Sequence, residues 1–335
     1  VDLRSLPQGV DGERLEEALN FAFLQKKNAL PVRTQGVVIV YKGRLIAERY
    51  ADNITPDTRL LGWSMTKSIT GTLVGMLVKD GKLDVNRPAP VKVWQNPDDP
   101  RSKITLDNLM RMNSGLEFEE VYGPLKDATE MLYDRADMAA YAAAKPLAHA
   151  PGEKWSYSSG TTNIIMSIVK EKTGGTLVDV HRYLQERLFR PLHMDSAVIE
   201  PDASGNFVGS SYMFATARDW ARMGQFFLQN GKWEGRQLLP PGWIRYCTTA
   251  TCDSHKQYGA QIWLNPGTPR TDQMRRSYEE LPPSMFYMSG FNLQRVAIFP
   301  ENDLVIVRLG ATHHREKALD FGRFARMVLE AVGEM

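Results

Sequence analysis

Apolar positions recur with two different periods along this chain, and the change of period divides it. Near the N-terminus, Leu15, Leu19, Phe21 and Phe23 recur near helical spacing, which predicts a helix over Gly12–Lys27. The β-branched run Gly36–Val40, the turn Lys42–Gly43 and the run Leu45–Tyr50 then predict a hairpin. Strand patterns return at the far end, at Met285–Ser289, Gln294–Phe299 and Leu304–Leu309, with a turn at Pro300–Asp303 between the last two. A terminal helix is expected over Arg315–Val332, with Ala318, Phe321, Ala325, Val328 and Leu329 on one face. Between about 60 and 240 the patterns are mostly helical, separated by loops such as Asn86–Pro90, Pro97–Pro100 and Pro151–Gly152. The expected fold class is α/β (α+β). An antiparallel sheet from both chain ends (residues 1–60 and 240–335), flanked by helices, would carry an inserted, mostly helical domain (61–239). A site is expected in the cleft between the two parts.

Composition narrows the function classes. Of 335 residues, 43% are hydrophobic and 24% charged, which is ordinary for a globular chain. The net charge is +2 with both signs interleaved, so nothing points to nucleic acid or an anionic membrane as partner. The apolar runs Val37–Tyr41 and Thr70–Val78 (broken by Gly71 and Gly75) fall well short of the ~20 residues that cross a bilayer. No transmembrane segment is expected, and the chain reads as soluble. Cys247 and Cys252 lie close together, compatible with a small-loop disulfide or with two thiols.

Three segments carry candidate chemistry. In Ser64-Met65-Thr66-Lys67 the i, i+3 spacing on a helix puts hydroxyl and amine on one face. A serine hydroxyl needs a base, and a lysine serves as one only where burial lowers its pKa. Trp63, Met65, Ile69, Leu73, Val74 and Leu77 provide the apolar context. The bare pattern occurs by chance, and Ser167–Lys170 repeats it at the polar end of a helical run, where Lys170 reads as a solvated charge. Tyr157-Ser158-Ser159 is the second segment: a phenol near an ammonium loses its proton more easily and could relay it. Alone, a tyrosine in such a run is more commonly a buried residue with one satisfied hydroxyl. Met288-Ser289-Gly290-Phe291 is the third, where a glycine permits close backbone approach and the following N–H could serve as an oxyanion donor.

In this order the three segments resemble the serine β-lactamase/penicillin-binding-protein superfamily. The connecting segments Thr105–Met110, Asn113-Ser114-Gly115, Pro151-Gly152-Glu153, Ala217–Arg222 and Phe299-Pro300-Glu301 extend the likeness over nearly the whole chain. Among its branches the chain is most similar to the class C-type group that includes esterases and 6-aminohexanoate-dimer hydrolases. The resemblance implies a serine β-lactamase/DD-peptidase-like fold. It also implies Ser64 as acylated nucleophile, Lys67 as its base and Tyr157 as proton relay, with the oxyanion held by the backbone N–H groups of Ser64 and Phe291. Ser159, Tyr122, Met288, Ser289 and Gly290 are then expected to bind substrate. No cofactor and no metal are implied, and the partner is a small ester or amide. With Val1 in place of an initiator Met, the family's habits suggest a bacterial periplasmic or secreted protein, with the cytoplasm as alternative.

Two departures shape the expected activity. Penicillin-recognising members carry a cation on the strand where this chain has Met288, and an Asn where it has Ser159. Both changes favour esters or unusual amides. A DD-peptidase or β-lactamase is the nearer alternative, and a non-catalytic binding member of the fold is the alternative of another class. The absence of Gly-x-Ser-x-Gly disfavours the α/β-hydrolase elbow. The six histidines, His149, His181, His193, His255, His313 and His314, show no zinc-ligand spacing. Thr216–Asp219 reads as a structural helix cap, and Trp63 as a core residue.

Overall fold

The computed structural model describes residues 6–24, 31–266, 277–312 and 319–334. In chain order its strands are β1 (Thr34–Tyr41), β2 (Arg44–Tyr50), β3 (Leu60–Leu61), β4 (Val198–Ile199), β5 (Met213–Ala215), β6 (Lys232–Trp233), β7 (Arg236–Gln237), β8 (Trp263–Leu264), β9 (Phe286–Gly290), β10 (Gln294–Phe299) and β11 (Leu304–Gly310). The helices are α1 (Gly12–Phe23), α2 (Thr66–Lys79), α3 (Leu106–Met110), α4 (Asp127–Asp134), α5 (Met138–Ala143), α6 (Ser159–Thr173), α7 (Leu177–Leu184), α8 (Ala217–Leu228), α9 (Trp243–Thr248) and α10 (Phe321–Ala331).

The main sheet runs β2-β1-β11-β10-β9-β8 and is antiparallel throughout. The β1–β11 pairing joins the two chain ends, with Val38 opposite Val307 and Ile39 opposite Ile306. Period-2 alternation decides what each face meets. Val37, Ile39, Ala297, Phe299 and Ile306 join Leu15 and Leu19 of α1 and Phe324 and Val328 of α10 in one apolar cluster. Val38, Val296, Ile298, Val305 and Val307 belong to the other, with Trp220 and Phe226 of α8 and Ile69 and Leu73 of α2. Helix α8 lies so close that a Cβ on Gly224 would meet Val305 Cγ1 at 2.5 Å.

The predicted helices differ at their ends. Asp320 caps α10 by accepting the Arg323 N–H at 3.0 Å, so the helix begins at Phe321 rather than in the stretch from Arg315. Residues 25–27 and 315–318, with His313 and His314, lie outside the described residues. Thr216 caps α8 as expected, accepting the Asp219 N–H at 3.2 Å. Cys247 and Cys252 are free thiols, the first buried and the second exposed. Among the described residues no helix is long and apolar enough to cross a membrane.

One contact locks the sheet onto the helical part. Gly290, the last residue of β9, lies against the loop before α2, where a Cβ would come within 2.1 Å of the Gly62 carbonyl oxygen. Both atoms are backbone, so neither can swing aside, and glycine is required by the approach itself. Gly290→Ala is therefore expected to cost about 1–3 kcal/mol of unfolding free energy. Urea denaturation reads this directly, and an unchanged transition would show that the two backbones are free to part.

Candidate active site

Helix α2 is buried on nearly every side from Thr66 to Leu77, although Thr66, Lys67, Ser68, Thr70 and Thr72 are polar. Its polar side chains are consequently spent on holding neighbours. Thr66 Oγ1 donates to the Trp63 carbonyl at 2.7 Å and accepts the Met213 N–H at 3.2 Å, while Thr70 Oγ1 donates to the Gly209 carbonyl at 2.9 Å. These bonds lay the segment 209–213 along the helix. Ser68 Oγ donates to the Gln261 carbonyl at 2.8 Å, and the Gln261 amide ties in α3 at Met110 O and α6 at Thr162 Oγ1. A one-turn 3-10 segment, Trp63–Met65, precedes the helix and carries Ser64. Trp63 sits in the left-handed region at φ 49°, a strained conformation for a bulky residue that turns Ser64 into the cleft.

Lys67 lies one helical turn below Ser64 and is 1% exposed. Its Nζ is 3.1 Å from Ser64 Oγ, 3.0 Å from Ser159 Oγ and 3.1 Å from the Ser210 carbonyl oxygen. Burial pulls its pKa down to about 8, partly offset by the negative charge of Glu120. About a tenth of the amine is therefore free at pH 7, where an ordinary lysine has less than about a thousandth.

Tyr157 approaches from the loop before α6. Its ring packs on Trp263 at 5.3 Å and on Tyr258 at 5.6 Å, and Lys67 Nζ lies 4.9 Å from the ring centroid. The Lys67 amine thus lies over the ring face. Desolvation, followed by the charge of Glu120, pushes the Tyr157 hydroxyl well above its ordinary value, against smaller downward pulls from Ser64, Trp263 and Arg295. The expected lowering of the phenol by the neighbouring lysine is overturned: Tyr157 rests as a neutral hydroxyl. The loop that delivers it is clasped to the Asn113-Ser114-Gly115 turn, with the Gly152 N–H donating to Asn113 O at 2.7 Å and Ser156 N–H to Met112 O at 2.8 Å.

The strand motif divides between the core and the cleft. Met288 is 1% exposed inside the cluster shared with α2 and α8, because alternation along β9 turns it inward. It is therefore not placed to touch substrate. Ser289 points to the other face, half-buried, and accepts a 2.7 Å bond from Arg295 Nη1. Gly290 brings Phe291 beside the Trp63–Met65 turn, where its ring meets Trp63 edge-on at 5.7 Å. The turn after Phe291 places Asn292 and Leu293 at positive φ, and Arg308 on β11 holds it by donating to Asn292 O at 3.1 Å and Leu293 O at 3.2 Å. Trp63 is half-buried and edged by Tyr212 at 6.4 Å, so it lines the cleft, where a core position was expected. Tyr122 is 40% exposed and lies 5.6 Å from the Phe291 ring, extending the same aromatic wall.

Two charged residues at this site escape the motif reading. Glu120 accepts the Ser159 N–H at 2.7 Å and the Ser159 hydroxyl at 2.5 Å, and its only sequence signal was its place two residues before Tyr122. Arg295, buried on β10 and opposite Ser289 in register, also donates to Tyr278 Oη at 2.9 Å. A lone arginine in a strand gives no sign of which cleft it borders. The second Ser-x-x-Lys pair sits on α6 with Ser167 donating to the Ile164 carbonyl at 2.8 Å and Lys170 Nζ near Gly205 O at 3.4 Å, apart from this cleft. Among the described residues no group of His, Cys, Asp or Glu is arranged to hold a metal ion.

Comparison with known proteins agrees with this geometry. A curated relative, 6-aminohexanoate-dimer hydrolase of Paenarthrobacter ureafaciens, is 26% identical over 244 residues, covering 69% of this chain and 58% of the relative. The match thus spans less than two thirds of that enzyme. The structure of a penicillin-binding protein homolog from Caulobacter crescentus superposes with a TM-score of 0.70 at 16% identity, covering 98% of this chain and 99% of that one. A β-lactamase structure from Mycobacterium bovis gives a TM-score of 0.64 at 15% identity, with 90% and 95% covered. At these identities both show the fold alone. The family model described as Beta-lactamase matches residues 29–327, which is most of the sequence, and the chain belongs to that family.

Proposed function

We propose that this chain is a serine hydrolase that cleaves a carboxylic ester or a small linear or cyclic amide through an acyl-enzyme on Ser64. The observation that carries the reading is the amine of Lys67, buried, poised near pH 8 and 3.1 Å from the Ser64 hydroxyl. Ser64 Oγ attacks the carbonyl carbon while its proton passes to the free amine of Lys67. The oxyanion that forms is held by the N–H groups of Ser64 and Phe291, at the N-terminal end of α2 where the helix dipole favours negative charge. Tyr157, neutral at rest, takes the proton from the Lys67 ammonium and passes its own to the departing alkoxide or amine. Water then attacks the acyl carbon by the same route, and the acid leaves with Ser64 restored. Trp63, Tyr122 and Phe291 form the wall against which an apolar acyl or amine chain packs. A small amide such as the one for which the Paenarthrobacter relative is named suits this wall.

One observation favours a second reading, a β-lactamase or DD-peptidase. Arg295 supplies beside Ser289 the cation that Met288 does not, and a substrate carboxylate would lie there. Stoichiometric labelling of Ser64 by penicillin supports this reading, and inertness to penicillin removes it.

Ser64→Ala is expected to lower hydrolysis of a p-nitrophenyl short-chain ester by at least about 1,000-fold, with the fold retained by circular dichroism. Full activity in the variant would end the proposal. Because the base works unprotonated, kcat/KM of the wild type is expected to rise with pH through an acid limb near pH 8. A flat profile from pH 6 to 9 contradicts Lys67 as base. Lys67→Met is expected to be inactive yet more stable. Below about pH 8 both folded and unfolded wild type carry the ammonium, and the fold bears its burial. Between about 8 and the ordinary lysine value of 10.5 the folded protein sheds the proton first, so wild-type stability rises there. The variant lacks that rise and is expected to lead by up to roughly 3 kcal/mol at pH 7 and by less at pH 10. Urea titrations at the two pH values measure the difference.

A further inference from the structure

Three partners surround the Lys67 amine, and the direction of each hydrogen bond can be fixed by counting protons. A free amine has two N–H groups and one lone pair, so it can accept from only one of Ser64, Ser159 and Ser210. The Ser210 contact is a backbone carbonyl, which can only accept. Ser159 could in principle do either, since its hydroxyl both gives and receives. Glu120 removes that freedom. Its carboxylate receives the Ser159 N–H on Oε2 at 2.7 Å and the Ser159 hydroxyl on Oε1 at 2.5 Å. With both of its oxygens accepting from Ser159, Glu120 takes the single Ser159 hydrogen, and Ser159 Oγ can only accept from Lys67. Both N–H groups of the amine are then used, and its lone pair has one direction left, toward Ser64.

We infer that Glu120 is a positioning residue that aims the lone pair of Lys67 at Ser64 by fixing the orientation of the Ser159 hydroxyl. The inference rests on the reading of Lys67 as base and deepens it. The chain Glu120–Ser159–Lys67–Ser64 gives Glu120 the part that a buried carboxylate plays beside a catalytic imidazole, holding the base in its productive form without touching substrate. The carboxylate is itself held in place, since its second oxygen caps the N-terminal end of α6, where negative charge is favoured. Its charge also acts on the base: Glu120 raises Lys67 against the lowering by burial. The other ionisable groups around the cleft are Tyr157, Tyr122 and Tyr258, whose phenols are all pushed upward, and Arg295 across β10. Of these charges, the one that acts on Lys67 is that of Glu120.

Glu120→Gln keeps the shape and reverses the proton inventory. The amide oxygen takes the Ser159 N–H, the amide NH2 donates to Ser159 Oγ, and the Ser159 hydrogen turns to the Lys67 lone pair in competition with Ser64. Two measurements test this. The first is the titration of Lys67 itself, followed by NMR of lysine labelled at Cε in the Ser64→Ala background, where no turnover is needed. Glu120→Gln is expected to shift that titration to lower pH, and Glu120→Asp to leave it near the original position. The second is ester hydrolysis with Ser64 present. Glu120→Gln is expected to lower kcat about 10- to 100-fold, to change KM less than about threefold and to move the acid limb downward. In a Ser159→Ala background the limb still moves, but the loss of kcat from Glu120→Gln disappears, because the hydroxyl that relays orientation is gone. An unmoved Lys67 titration overturns the inference, as does a rise in KM with kcat intact, which would make Glu120 a substrate contact. Full activity of Ser64→Ala overturns instead the hydrolase reading, while the NMR titration still reports on Glu120.

Discussion

The arrangement turns on one unfavourable act, the removal of a lysine amine from water. Taken alone, that burial works against folding, and it is tolerated because the surroundings supply partners on every side of Lys67. The partners come from three separate stretches: the nucleophile turn, the start of α6 and the segment after β4. Each stretch is anchored by a polar side chain of α2 or α6, with Thr66 and Thr70 holding 209–213 and Asn163 Oδ1 receiving the Ser210 N–H at 3.1 Å. The polar residues of an otherwise apolar helix therefore build a socket whose occupant is a destabilised cation. Stability is given up at the point where a reactive amine is gained, a trade common at functional sites.

The socket has an open wall, and the sheet closes it. Gly290 abuts Gly62, and the turn that follows is pinned by Arg308, so the N–H of Phe291 is fixed relative to Ser64 by contacts of backbone on backbone. Arg308 is fully buried and drawn down to about 9 by desolvation and by Arg295, yet it donates to the Val32, Asn292 and Leu293 carbonyls and to Thr34. A second buried cation thus holds a turn in place by its hydrogen bonds.

Short β-branched runs bounded by turns located the terminal strands, as in Val37–Tyr41 before Lys42–Gly43 and Leu304–Leu309 after Pro300–Asp303. The motif order placed Ser64, Lys67 and Tyr157 in one cleft, since i, i+3 spacing is geometry that any helix obeys. What stayed hidden was direction and charge. Whether Lys67 faces the Tyr157 hydroxyl or its ring depends on side-chain rotamers, which sequence does not carry. The inward turn of Met288 follows from alternation but depends on which face the helices cover. Trp63 seemed a core residue because it adjoins an apolar helix, and only its positive φ swings it out to the cleft. Glu120 was illegible for a simpler reason: a glutamate among Glu117, Glu119 and Glu120 is indistinguishable from solvent-exposed charge until the chain brings Ser159 against it.

The pairing of β1 with β11 also has a consequence in time. A ribosome releases β1 well before β11, so β1 waits for that partner while the long helical segment between them is made. Until then the hairpin β1–β2 exposes an open edge and two apolar faces, the combination that invites pairing with other chains. The helical segment can begin to pack in that interval, but Phe291 reaches Ser64 only after the strands that follow the insertion have emerged. Partly made chains therefore carry Ser64 and Lys67 before the β9 turn that sets Phe291 beside them exists.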